Sequence, residues 1–190
     1  MPIASRRRVL RVVTTLIVCL FAVATPVAAQ TLSPFDRRQD PHVRPAPDLR
    51  GLVADAVQQS DVIRDLVEVL EALDVTVYIR TKPFLQQNLD GRIALLSVVG
   101  GHRYLVIELS CGRSTLTQMA TLGHELFHAV EITREPAVVD ARTLAALYER
   151  IGVESGRSAG QRTFESERAI EAGLRARKQL VKGTRSANGI

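Results

Sequence analysis

The six residues Gly123-His124-Glu125-Leu126-Phe127-His128 constrain this chain more than any other stretch of it. Two histidines four positions apart share a face only if the backbone between them is helical, because an α-helix brings residues i and i+4 one above the other. Held in that way, two imidazoles can grip a single divalent cation between their ring nitrogens. The glutamate between them then stands beside the ion rather than on it. A helix is also expected on other grounds. Thr115 followed by Gln118 has the form of a capping box, and Pro136 ends the run. On a helical wheel Leu116, Met119, Leu122, Gly123, Leu126, Phe127 and Val130 share one arc, which is expected to pack on a sheet. Ala120, Thr121, His124, His128 and Glu131 fall on the opposite arc, facing a cleft or another element.

Upstream, residues 1–29 read as an export address. Arg6, Arg7, Arg8 and Arg11 precede an apolar run from Val12 to Ala24, and Val27-Ala28-Ala29 supplies small residues for cleavage, the order found in secretory signals. The run falls short of the roughly 20 residues of a comfortable membrane span. Ser5-Arg6-Arg7-Arg8-Val9-Leu10 also loosely resembles a twin-arginine signal, so the export route stays open. The expected product is periplasmic or secreted, with a membrane association only if the segment stays uncleaved. Loss of those four arginines takes the formal net charge from +5 to +1, with 21 basic residues against 20 acidic ones. A nearly neutral chain has no electrostatic basis for binding nucleic acid, and the absence of Trp removes the best stacking side chain as well. Cys19 leaves with the segment. Cys111 then remains alone, expected as a small buried residue at a strand end.

Four of the eight prolines, Pro34, Pro41, Pro45 and Pro47, lie between residues 30 and 50, which read as a linker. A folded domain is expected over residues 51–182 and a disordered tail over 183–190. Leu52 to Leu73 carries apolar residues at helical spacing, as one or two helices. Val75–Arg80, Ile93–Val99 and Tyr104–Leu109 are rich in β-branched and apolar residues and read as strands, the last two joined by a tight hairpin at Gly100-Gly101. After the motif helix, Val138–Ile151 and Phe164–Val181 read as helices with a loop over Ser155–Gly160. The expected fold class is α+β: a small three-stranded, mainly antiparallel sheet packed on the motif helix, followed by two further helices.

The ten residues Thr121 to Val130 resemble the motif of the zincin metallopeptidases, which flanks and separates the two histidines with uncharged residues. The resemblance is specific over those ten residues and architectural over Asp74 to Val181. It implies Zn²⁺ as the cofactor and a peptide or protein as the substrate, paired with the edge strand of the sheet. It also implies His124 and His128 as ligands and Glu125 as the base that activates zinc-bound water. Arg134 stands where the metzincin subgroup has a third histidine, and His42 and His102 both lie upstream. The resemblance therefore implies a carboxylate as third ligand, as in the gluzincins.

Candidates are Glu131, Asp140, Glu149, Glu154, Glu165, Glu167 and Glu171. Glu165 falls on the apolar arc of the expected last helix beside Ala169, Ala172 and Ala176, where a carboxylate needs a partner. Glu167 with Glu171 instead matches the four-residue spacing of acids common in gluzincins, and stays an alternative. Glu131, nearly one turn beyond His128, is expected beside a ligand or on the surface rather than on the metal. Tyr148 is a candidate oxyanion helper, with a plain packing role as the alternative. The expectation is thus an exported zinc metallopeptidase of minimal gluzincin type, with His124, His128 and Glu165 on the metal and Glu125 catalytic. The competing expectation is a zinc-stabilised binding domain that retains the motif without turnover.

Overall fold

In the computed structural model residues 40–83, 85, 89–158 and 161–187 are described; the expected export segment, residues 30–39 of the expected linker and residues 188–190 lie outside them. Strand β1 (Val43–Pro45) and a single 3₁₀ turn (Pro47–Leu49) lead into helices α1 (Arg50–Gln59) and α2 (Asp61–Glu71). Residues 43–50 of the expected linker are thus built into the fold. Pro45 is tolerated because β1 is an edge strand, and Pro47 because the first turn of a helix has no use for its missing N–H. Ser60 separates the two helices, its hydroxyl accepting from the Ile63 amide.

Three further strands follow: β2 (Val75–Lys82), β3 (Gly91–Val99) and β4 (His102–Ser110). The β3–β4 turn is the expected two-residue hairpin, with Gly100 and Gly101 both at positive φ (58° and 86°), a conformation that penalises any β-carbon. The strand order is β1-β2-β4-β3. β1 and β4 run parallel to β2, and only β3 pairs antiparallel, with β4. The expected three-stranded, mainly antiparallel sheet is therefore corrected to a four-stranded mixed one. Burial explains the order. β4 is buried on both faces from Leu105 to Leu109 and takes an interior position, whereas β3 is largely solvent-facing and forms the edge.

One face of the sheet carries Val75, Val77, Ile79, Leu105, Ile107 and Leu109, all fully or nearly fully buried in the core. Across the other face runs the row Arg80–Glu108–Arg92. Helix α3 (Thr115–Arg134) packs on the sheet. Its cap is Ser114, one residue before the expected Thr115, and the Ser114 hydroxyl accepts from the Thr117 amide. Helix α4 (Ala141–Ile151) starts from a capping box formed by Asp140 and Thr143.

The expected loop after α4 is instead a hairpin, β5 (Val153–Ser158) with β6 (Gln161–Glu165). Helix α5 (Glu167–Ala187) starts later than the expected Phe164 and continues into the expected tail. α5 and α2 cover the side of α3 that faces away from the sheet. Gly123, expected on the sheet-facing arc, instead permits this contact: a β-carbon there would stand 2.9 Å from the Ala176 β-carbon and 3.2 Å from Ile63 Cγ1. Cys111 is exposed, which corrects its expected burial. Among the described residues no helix is long and apolar enough to cross a membrane.

Candidate metal centre

His124 and His128 project from α3 toward the junction between β6 and α5, where the chain presents Glu165. The strand ends on this residue. Ser166 then caps α5, its hydroxyl accepting from the Ala169 amide at 3.1 Å. The sequence pattern places Glu165 on a buried helical arc; it is in fact the last residue of a strand, and its side chain is about one-third exposed. The Ala169, Ala172 and Ala176 arc does exist, and it packs α5 close enough to deliver Glu165 to the histidines.

Three ligand atoms converge. His124 Nε2 lies 2.8 Å from Glu165 Oε2. His128 Nε2 lies 3.1 Å from the same oxygen and 3.1 Å from His124 Nε2. Ligands at ordinary zinc distances in a tetrahedron stand about 3.3 Å apart, so little movement separates this cluster from a coordination shell. The donor set fits as well. His128 Nδ1 faces Glu131 Oε2 at 2.8 Å. With the ring proton donated there, Nε2 presents a lone pair to a second lone pair and a carboxylate, and a cation satisfies all three at once. The group His124, His128 and Glu165 can hold a metal ion.

The titration of the cluster shows the same demand for positive charge. Burial opposes a charge on both groups, yet hydrogen bonds from His124 and His128 hold Glu165 down at about 2, and bonds to Glu131 and Glu165 push His128 up to about 9. Protons hold together what a divalent ion would hold by displacing them. Glu125, between the two histidines, is 5% exposed. Burial pushes its carboxyl up to about 7, against the pull of His128 and His124. Its Oε1 faces the start of β3, where a β-carbon on Gly91 would approach it to 3.2 Å.

Behind His128 lies a network that the sequence reading largely missed. Glu131 accepts from His128 through Oε2, and its Oε1 accepts from Ser166 Oγ at 2.7 Å. The Tyr148 hydroxyl lies 3.0 Å from His128 Nδ1, close to the Glu131 carboxylate. Burial and the neighbouring carboxylates raise its pKa far above that of an ordinary tyrosine. Tyr148 therefore meets the cluster on the Nδ1 side of the His128 ring, where it supports the histidine, the packing role that the sequence left as the alternative. The i,i+3 spacing of His128 and Glu131 was legible in the sequence; the parts played by Ser166 and Tyr148 were not. Glu167 and Glu171 are exposed on α5, Asp140 caps α4, and Glu149 and Glu154 are exposed outside the cluster.

A cleft of about 320 Å³ opens in front of His124 and Glu125, between the start of β3 and one face of α5, with Ala120 and Thr121 at its base. No protein-family model, curated protein or solved structure matches the chain.

Proposed function

We propose that the protein is an exported zinc-dependent peptidase whose catalytic base is Glu125. The observation that carries this reading is the convergence of His124 Nε2, His128 Nε2 and Glu165 Oε2 next to the buried carboxyl group of Glu125. Two imidazoles and one carboxylate suit zinc, and three protein ligands rather than four leave a position open for water or substrate. Zinc in such a site polarises a carbonyl oxygen and lowers the pKa of water. The chain's own residues supply the rest. Glu125, buried between the two histidines, is placed to take a proton from the attacking water and return it to the departing amine. Gly91 keeps the space in front of its carboxyl free of a side chain. β3 is an edge strand, so an extended peptide can pair with its free side and lie across the cluster. Export rests on the arginine cluster, apolar run and small-residue site of residues 1–29.

Zinc content and peptide hydrolysis, measured on the wild type and three variants, test the proposal. Wild type and Glu167→Ala are expected to carry one zinc per chain and Glu165→Ala to lose it. Glu125→Gln is expected to keep zinc and lose peptide hydrolysis by roughly 10²- to 10⁴-fold, the usual contribution of a general base. Zinc bound with no peptide cleaved, and no effect of Glu125→Gln, would leave the zinc-stabilised binding domain as the reading.

A further inference from the structure

The cleft holds a positive charge that the proposed chemistry does not use. Ile170, Gly173, Leu174 and Arg177 follow one another at i, i+3, i+4 and i+7, so a single stripe of α5 forms one cleft wall. Ile170 and Leu174 are 43% and 63% exposed, large apolar side chains held in water beside the ligand cluster. One turn on either side of Arg177 stand Gly173, Leu174, Leu180 and Val181, so no acid on its own helix neutralises it. Across the cleft, Asp90 is paired with Arg113 at 2.7 Å. Among the described residues Arg177 makes no ion pair.

Position adds a direction. Gly173 sits against His124, its missing β-carbon 3.1 Å from that of the histidine. Arg177 lies four residues further, about 6 Å along the helix axis. A peptide paired antiparallel to β3, the more stable arrangement, runs toward the Leu89–Asp90 end of the cleft. Arg177 lies toward the same end: α5 passes from Glu165 at His128 to Gly173 at His124 and Ala120, toward the start of α3, which Gln118 ties to Ser110 beside the start of β3. An extended chain advances about 3.3 Å per residue, so the guanidinium is within reach of the second residue beyond the scissile bond.

We infer that the cleft selects peptides carrying a carboxylate two residues after the cleaved bond, behind a bulky apolar residue. The apolar side chain packs on Ala120 and Thr121 against Ile170 and Leu174, and Arg177 pairs with the carboxylate. The carboxylate has two possible sources, an acidic side chain or the free end of the peptide. Its identity as part of a peptide rests on the peptidase reading, whereas the charge preference does not depend on turnover.

The test uses the full-length zinc-loaded protein and its Arg177→Ala and Arg177→Glu variants. The probes are blocked peptides with Leu after the scissile bond, followed by Asp-amide, Asn-amide, Lys-amide, Leu-amide or Leu with a free carboxylate. Both kcat/KM and Kd by competition anisotropy are read. A carboxylate is expected to favour the peptide by about tenfold over its neutral counterpart, as a half-exposed charged hydrogen bond should. Asp-amide against Asn-amide reports the side-chain source, and free Leu against Leu-amide the terminal one. Arg177→Ala should erase the preference and Arg177→Glu turn it toward Lys, with zinc content unchanged. Equal handling of charged and neutral peptides by the wild type, or an Asp preference that survives Arg177→Glu, overturns the inference. If no peptide is cleaved the peptidase reading fails, and Kd alone decides: a preference reversed by Arg177→Glu upholds the inference, and indifference to charge overturns it.

Discussion

If the cluster holds zinc as proposed, replacing Glu131 with alanine should weaken that binding, although Glu131 lies outside the three-residue ligand group. Its side chain is 12% exposed and holds two groups at once, His128 Nδ1 at 2.8 Å and Ser166 Oγ at 2.7 Å. The first bond fixes the tautomer of His128, placing the proton on Nδ1 and the lone pair on Nε2, the only arrangement that offers Nε2 to a metal. The second bond ties α3 to the residue that follows Glu165, and so sets the distance between the two sources of ligands. Partners of this kind typically contribute 10- to 100-fold in metal affinity, or about 1.4–2.7 kcal/mol. The Tyr148 hydroxyl, 3.0 Å from the same Nδ1, can accept its proton once Glu131 is gone. The single variant should therefore fall near the tenfold end. Glu131→Ala combined with Tyr148→Phe should lose more than the sum of the two separate losses, because each backs up the other. Zinc competition against a chromophoric chelator at neutral pH measures this directly, with thermal melts of the metal-free proteins as a check on folding. An affinity within twofold of wild type for Glu131→Ala, or strict additivity in the double variant, would refute the reasoning.

Two further predictions concern stability. Glu108 has a 2% exposed side chain and meets Arg80, Arg92 and Lys82; burial would raise its pKa, but the bonds from Arg80 and Arg92 outweigh burial and hold it below the ordinary carboxylate range. A carboxyl group depressed on folding contributes stability that is present above its unfolded pKa and lost as pH falls through its folded one. Glu108→Gln should then cost about 1–3 kcal/mol at neutral pH, with the gap to wild type closing in acid; urea unfolding curves that stay equally far apart at every pH would contradict this. Gly123→Ala should destabilise by about 1–2 kcal/mol, since overpacking against Ala176 and Ile63 exceeds the gain in helix propensity; a variant more stable than wild type in the same assay would show that α3 and α5 can move apart freely.

Local signals in the sequence located most elements, and their limits are physical. Helical periodicity identified α3, and the β-branched and apolar runs located β2, β3 and β4 to within a few residues. Neighbour relations were out of reach. Whether β2 pairs with β3 or with β4 depends on which strand is buried on both faces, and alternation within β2 carries no record of that. The β5–β6 hairpin was missed because residues 155–163 are polar and glycine-bearing, and the two strands meet through backbone bonds, which leave no side-chain pattern. Cys111 was expected to be buried because apolar β4 precedes it, yet it stands beyond the last strand residue, in the turn before Gly112 at φ 82°.

Glu165 shows how a correct residue can be reached through an incomplete picture. An acid flanked by an alanine stripe suggested burial and a partner, and the stripe does decide the outcome by docking α5 on α3. The partner is reached from the end of β6, however, so the site joins two separately built parts. α3 fixes the histidine spacing by its own geometry, whereas Glu165 depends on the α5 contacts at Gly123 and Gly173 and on the Ser166–Glu131 bond. This junction crowds three carboxylates, Glu125, Glu131 and Glu165, around two imidazoles; burial opposes a charge on His128, yet bonds to Glu131 and Glu165 push it up to about 9, whereas burial itself pushes Glu125 up to about 7. A divalent ion would relieve that crowding only with both parts in place. Metal binding at this junction would therefore be coupled to the docking of α5, and a variant that loosens the docking should weaken the proposed binding.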